Sequence, residues 1–307
     1  MDGESNQFWD KSLEARKLLH TTVYSQCFSP CGHYLATCNN YGKISIFSVS
    51  KALAPDASEG NWKQIFSFQA CEDGALYCLA TTGDLLISAG NGPICAWKWK
   101  EILDKSPRIV WSFSIPKRGP FSNPEVNTLV VDQQETGTAL FAGCGDKNVY
   151  SWDLESGKQV LCMSGHTDYI HDISLKSDGN TLASASEDGS VNIWDVRDSA
   201  EPVYSIVPHK TESCCRPSLG KWVGCVAMDS SNDWLILSAG TEPFVNHWFV
   251  NGDQKAKVPC TPTSVFNVSV NKNDDKYKVL CASGSSYKID VCTNFGYRAF
   301  SFSLTPD

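Results

Sequence analysis

The sequence lacks the motifs that identify most nucleotide-dependent and metal-dependent enzymes. It has no G-x-x-x-x-G-K-[ST] phosphate loop and no H-E-x-x-H helix, and Gly143-Cys144-Gly145 lacks the third glycine and following helix of a dinucleotide site. No two cysteines form a C-x-x-C pair, so zinc is not indicated. We therefore expect no catalytic residues, no cofactor and no metal.

Long apolar runs and long basic clusters are also missing. No window approaches about 18 consecutive apolar residues, and the opening MDGESNQFWD is neither cationic nor apolar, so we expect no membrane contact and no secretory export. Acidic residues outnumber Lys and Arg by 34 to 26, which gives a formal net charge of −8. The acidic balance predicts no direct binding to nucleic acid.

Cysteine, in contrast, is abundant, with 14 residues in the chain. Many lie within strand-like runs such as CVAM, VLCAS and IDVCT. We expect most of them to be small buried side chains in a reducing compartment, without disulfides.

Aromatic residues mark an internal repeat. Segments in which small residues, a turn and an alternating strand lead to an aromatic residue end at Phe47, Trp97, Trp152, Trp194 and Trp248, and a degenerate copy ends at Val291. The intervals are 50, 55, 42, 54 and 43 residues. A period of roughly 40 to 55 residues with several short strands in each unit is typical of a β-propeller.

Each unit can be divided into four short strands. In the fourth unit these are DYIHDISLK, TLASAS, SVNIWDVR and PVYSIV, and the first and last units contain equally complete quartets. We predict an all-β propeller of six four-stranded blades over residues 20 to 307, preceded by an extension over residues 1 to 19. Leucine spacing predicts a short helix within residues 8 to 19, and KEILDK predicts a helical turn.

Gly165-His166 and Trp194-Asp195 in the fourth unit resemble the WD-repeat family. The resemblance implies a buried chain of hydrogen bonds through His166, a strand serine (Ser184 or Ser186), Asp188 and Trp194. A buried carboxylate and imidazole are tolerated when they are paired, and the pairing would fix the turn and the register of the blade.

Histidine, serine and aspartate are also the residue types of a hydrolase triad. Neither serine lies in a G-x-S-x-G nucleophile elbow, and this absence favours the structural interpretation over the catalytic one.

Longer blocks carry a more specific resemblance. These are SQCFSPCGHYLATCNNYGKISIFS, GHTDYIH, RPSLGKWVGC and TNFGYRAFSFS, which extend over most of the chain. They resemble the subunit 6 family of the THO complex. The resemblance implies a nuclear, non-enzymatic scaffold that joins other THO subunits in a hetero-oligomer and acts in coupling transcription and splicing to messenger-RNA export.

The chain departs from that family pattern by one repeat, because SSNDW continues directly into LILSAG near Trp234. Six is an ordinary number of blades. We expect the first blade to pack against the last, with the N-terminal helix beside this seam, and no N-terminal strand completing the last blade.

An alternative function comes from LASASEDGSVNIWDVR, residues 182 to 197. This stretch resembles the box by which some WD-repeat proteins dock on the damaged-DNA-binding adaptor of cullin-RING ubiquitin ligases. The box would place Asp195 and Arg197 at a partner-binding surface, whereas the alternative and favoured interpretation of Arg197 is a local salt bridge. The two roles, THO scaffold and ligase receptor, are not exclusive.

Overall fold

The computed structural model describes residues 12–72, 74–116, 124–134, 137–176, 179–197, 200–207, 210, 221–226, 235–238, 243–249, 254–271, 274–293 and 297–306. In chain order the strands are β1 Val23–Phe28, β2 Tyr34–Asn39, β3 Lys43–Ser48, β4 Phe66–Gln69, β5 Leu76–Thr82, β6 Leu85–Gly90, β7 Ile94–Lys98, β8 Ile109–Phe113, β9 Val126–Gln134, β10 Gly137–Cys144, β11 Asn148–Asp153, β12 Lys158–Ser164, β13 Ile170–Leu175, β14 Thr181–Ser186, β15 Val191–Asp195, β16 Tyr204–Ile206, β17 Leu235–Ser238, β18 Phe244–Phe249, β19 Gln254–Pro259, β20 Val265–Val270, β21 Leu280–Gly284, β22 Lys288–Cys292 and β23 Phe300–Ser303.

The strands form six sheets in which sequence neighbours pair in order. The orders are β1-β2-β3-β4, β5-β6-β7-β8, β12-β11-β10-β9, β13-β14-β15-β16, β17-β18-β19 and β20-β21-β22-β23. This repetition is that of propeller blades, so the predicted fold class is confirmed. Within the described residues the fifth sheet has three strands, and the junction near Trp234 lies outside them.

In the first and fourth sheets, a glycine with positive φ lies in the tight turn between the second and third strands. Gly42 has φ +72°, and an added Cβ would lie 2.1 Å from the carbonyl oxygen of Cys71. Gly189 occupies the same place in the fourth sheet with φ +87°. A side chain at Gly42 would therefore be strained by its backbone conformation and would also collide with a neighbouring loop.

The described residues divide into two compact units. The first contains β1 to β5 and β17 to β23, and the second contains β6 to β16. In the first unit, the first and last sheets share one hydrophobic core, in which the rings of Phe47 and Phe302 lie 4.9 Å apart. Gln26 Nε2 also donates to the carbonyl of Cys281 at 2.7 Å. The predicted packing of the first blade against the last is confirmed.

In the described part of the first unit, three short α-helices and two 3-10 helices, Glu59–Trp62 and Asp275–Tyr277, accompany the sheets. Helix α1 covers residues 12–19, and its Leu18 packs against the core shared by the first and last sheets. This is the predicted place beside the seam. Helix α2 is Val49–Ala52, and α3, Trp99–Leu103, confirms the helical turn predicted at KEILDK.

In the second unit a core of buried side chains joins the third and fourth sheets, with Phe141, Ile173 and Trp194 among its members. Asp172 on β13 adds polar links, since it accepts from Thr128 Oγ1 at 3.1 Å and from the backbone N–H of Val226 at 3.0 Å. Its carboxylate thereby connects three separate segments of the unit.

Seven of the cysteines in the described part of the chain are buried. Burial raises the pKa of Cys27 to about 12. Within the same residues, no helix combines the length and apolar character needed to cross a membrane, and no group of three His, Cys, Asp or Glu side chains is placed to hold a metal ion.

Candidate functional site

The fourth sheet brings four side chains together from four successive segments. His166 lies in the loop before β13, Ser184 on β14, Asp188 in the turn that follows, and Trp194 on β15. Alternation along β14 and β15 directs Ser184 and Trp194 to the interior, where both are essentially inaccessible.

These four residues form a continuous chain of hydrogen bonds. Trp194 Nε1 donates to Ser184 Oγ at 2.8 Å, and Ser184 Oγ lies 2.7 Å from His166 Nε2. His166 Nδ1 lies 2.9 Å from Asp188 Oδ2. A neutral imidazole with its hydrogen on Nδ1 satisfies every member, because Ser184 then accepts from the indole and donates to Nε2.

Asp188 also organises the backbone around it. It accepts from the N–H groups of Thr167 at 2.9 Å and Ser190 at 2.8 Å, and from Ser190 Oγ at 2.6 Å. Burial would raise the pKa of this carboxyl, but the hydrogen bonds from Ser190, Thr167 and His166 outweigh it and hold the pKa at about 2. The carboxylate thus joins the loop before the first strand to the turn before the third.

The structure selects Ser184 rather than Ser186 as the member of this chain. Ser186 Oγ donates to the carbonyl of Asp168 at 3.1 Å and accepts from the N–H of Asp188 at 3.2 Å. Ser186 therefore supports the turn next to the network, and neither of these hydrogen bonds involves the His166 imidazole.

The order Ser184–His166–Asp188 has the connectivity of a catalytic triad, but its environment does not suit nucleophilic attack. Ser184 has no exposed surface, and the His166 side chain is likewise fully buried. The serine oxygen already accepts the indole N–H of Trp194. A nucleophile must reach its substrate, and this hydroxyl lies inside a packed blade.

Asp195 and Arg197 lie where β15 reaches the surface, and they pair with each other. Arg197 Nε and Nη2 donate to the two carboxylate oxygens of Asp195 at 2.9 and 2.6 Å, and the Arg197 side chain is 65% exposed. The hydrogen bond from Arg197 lowers the pKa of Asp195 to about 2. This bidentate pair is the local salt bridge that the sequence left open as one alternative.

A second buried carboxylate, Asp290 on β22, did not emerge from the sequence. It is fully buried and accepts from the N–H and Oγ1 of Thr261 at 2.5 and 2.8 Å and from Ser301 Oγ at 2.5 Å. Arg298 Nη1 lies 3.7 Å away. Asp290 therefore ties the loop before β20 to β22 and β23 in a blade that lacks the His–Asp pair.

Comparison with known proteins places these features in a family context. The family described as "WD domain, G-beta repeat" matches residues 15–48 and 157–195, and the second match contains the His166 network. THO complex subunit 6 homolog of Danio rerio is 39% identical over 94% of this chain and 99% of its own length. THO complex subunit 6 of Homo sapiens is 39% identical over 95% of each chain, and that of Arabidopsis thaliana is 24% identical over 97% of this chain and 96% of its own.

Proposed function

The chain belongs to the THO complex subunit 6 family, and from this membership we propose that it is a scaffold subunit of a nuclear THO complex. Similarity over nearly the whole length of both chains is the observation that carries the proposal, because it extends well beyond residues 15–48 and 157–195, which match the general repeat. The same proposal includes assembly of this chain with other THO subunits and a role in coupling transcription and splicing to messenger-RNA export.

A non-enzymatic role is supported by the chemistry of the fourth sheet. Of the residues that could form a catalytic set, Ser184 and the His166 side chain are fully buried, and together with Asp188 they are hydrogen-bonded to one another and to Trp194. We propose that His166, Ser184, Asp188 and Trp194 stabilise the blade, with Ser186 supporting the adjacent turn. The rigid sheets then present their loops and outer strands to protein partners.

Docking on a cullin-RING ligase adaptor remains a prediction from the sequence. Arg197 forms a salt bridge with Asp195 of the same chain, so no partner protein is needed to explain an arginine at this position. The structure therefore adds no support for this alternative. We expect the THO role to hold whether or not the chain uses the docking box over residues 182 to 197, called the W-D-x-R box after its last four residues, Trp194 to Arg197.

The proposal is tested by purifying the tagged chain from nuclear extract and identifying the proteins that co-elute. Recovery of other THO subunits in comparable amounts supports it. Recovery of an adaptor and cullin without THO subunits, or localisation confined to the cytoplasm, would contradict it.

A further inference from the structure

The first unit contains a surface groove. It has a volume of about 360 Å³ and lies between the third and fourth strands of the first sheet and helix α3. Its apolar lining consists of Ile46, Ile65, Phe66, Ile102 and Leu103. Two of these, Ile65 and Leu103, are 38% and 37% exposed, although large aliphatic side chains are more often buried.

Two lysines, Lys51 and Lys105, complete the lining. Both residues are exposed, and among the salt bridges of the described residues none involves either ammonium group. The groove therefore combines an apolar floor with two positive charges, in a chain whose formal net charge is −8.

The backbone at Lys105 is unusual for a lysine. The N–H of Lys105 donates to the carbonyl of Ile102 at 3.0 Å, and the N–H of Ser106 donates to that of Glu101 at 2.9 Å. This pair of bonds is a Schellman C-terminus, in which the residue at the position of Lys105 adopts positive φ and is usually glycine. Lys105 has φ +58°, so the chain carries a strained lysine where glycine would be unstrained.

We propose that this groove binds an acidic peptide segment of a protein partner, with an apolar side chain of the segment on the floor and flanking carboxylates on Lys51 and Lys105. The volume is at the lower end of small-molecule pockets, which suits one or two apolar side chains. The strain at Lys105 is then explained by its ammonium group, because glycine would cap the helix better but could not pair with a carboxylate.

The charge pattern favours a peptide over the other anionic partners. Anionic membranes and nucleic acids are bound by larger basic clusters, typically of about four to eight Lys or Arg. The groove has two lysines, and its remaining lining residues are apolar. The inference does not depend on which complex contains the chain, so it can fail while the proposed function holds.

The test uses the full chain and a fluorescent peptide in which one leucine is flanked by glutamates on both sides. We expect saturable binding that weakens with salt, because exposed charge pairs are screened. Lys51→Ala and Lys105→Gly should each lower affinity about threefold, and the double variant Lys51→Glu, Lys105→Glu about tenfold or more. Lys105→Gly should also match or exceed the wild type in melting temperature, which separates lost binding from lost folding.

Lys100→Glu is the matched control, since Lys100 is exposed on α3 but does not line the groove. It should leave peptide affinity within about twofold of the wild type. A peptide with serine in place of leucine should bind more weakly to the wild type. The proposal is overturned if no saturable binding occurs, if the Lys51 and Lys105 variants bind like Lys100→Glu, or if the leucine makes no difference. It is also overturned if only phosphatidylserine vesicles or a second copy of the chain occupy the groove.

Discussion

Replacing Asp188 by alanine should lower the free energy of unfolding by about 2 kcal/mol at neutral pH. The change removes the acceptor of His166, whose side chain is fully buried, and of three donors on Thr167 and Ser190. Water can replace the acceptor for the outer donors, because the Asp188 side chain is 10% exposed. The imidazole, in contrast, loses its carboxylate acceptor and keeps at Nδ1 only the longer contact with Ser190 Oγ, at 3.2 Å. Hydrogen bonds to a charged group are worth about 1.5 to 3 kcal/mol.

The pKa of Asp188 leads to the same magnitude and adds a pH dependence. A folded-state pKa of about 2, against an ordinary 3.8, corresponds to roughly 2 kcal/mol of stability at pH 7. Because the folded-state pKa is the lower one, this contribution is present above about pH 5 and is lost as the pH falls toward 2. The gap between wild type and Asp188→Ala should therefore narrow by about half near pH 3.

Urea unfolding followed by tryptophan fluorescence measures this gap at each pH, and the melting temperature of the variant should fall by about 4 °C. Asp153→Ala is a suitable control, because Asp153 accepts similar bonds from Ser156 and Glu155 in an exposed turn. It should destabilise the chain much less. Equal stability of Asp188→Ala and wild type at pH 7, or a gap that widens toward pH 3, would refute the proposed role of the network.

Three further substitutions test other parts of the molecule. Asp290→Ala should lower the free energy of unfolding by about 3 kcal/mol, measured by urea unfolding, because it removes a fully buried carboxylate that accepts three hydrogen bonds from Thr261 and Ser301 and lies near Arg298. Gly284→Ala should reduce soluble yield and melting temperature sharply, since an added Cβ would lie 1.8 Å from the backbone oxygen of Ser264, whereas Gly224→Ala, with nothing within 4 Å, should be tolerated. Arg197→Ala should leave the melting temperature unchanged, and THO subunits should still co-purify with the variant. If the W-D-x-R box is used, the variant should no longer recover the cullin-ligase adaptor. Equal recovery of the adaptor by wild type and variant would show that the box is not the docking site.

The strands were predictable because each blade repeats a local pattern. The first, fourth and last sheets contain the alternating strands VYSQCFS, TLASAS and FNVSV, respectively. This alternation, together with the glycines in the turns of each sheet, specifies the quartets without long-range information. The choice between Ser184 and Ser186 was not predictable in the same way. Residues two apart on a strand share a face, and the reach of the Trp194 indole decides which serine it contacts.

Features that depend on distant segments could not be inferred from local patterns. Asp290 occupies an ordinary place in the alternating run YKIDVCT, and its burial follows from the loop at Thr261 and from β23 folding over it. The groove likewise requires Ile46, Ile65 and the end of α3 to meet, although they are far apart in the sequence. The backbone strain at Lys105 arises because helix α3 ends at Leu103. Local propensity does not determine the last residue of a helix, so this strain could not be predicted.

Reconstitution with purified partners tests membership of the complex most directly. The recombinant chain, 33.7 kDa, would be mixed with the other THO subunits of the same organism and passed through analytical size exclusion, with each peak quantified by mass spectrometry. The proposed scaffold role predicts that the chain elutes in one stoichiometric peak with those subunits, and that Arg197→Ala does so as well. Elution of the folded chain at its own mass, with the remaining subunits assembled without it, would contradict that role.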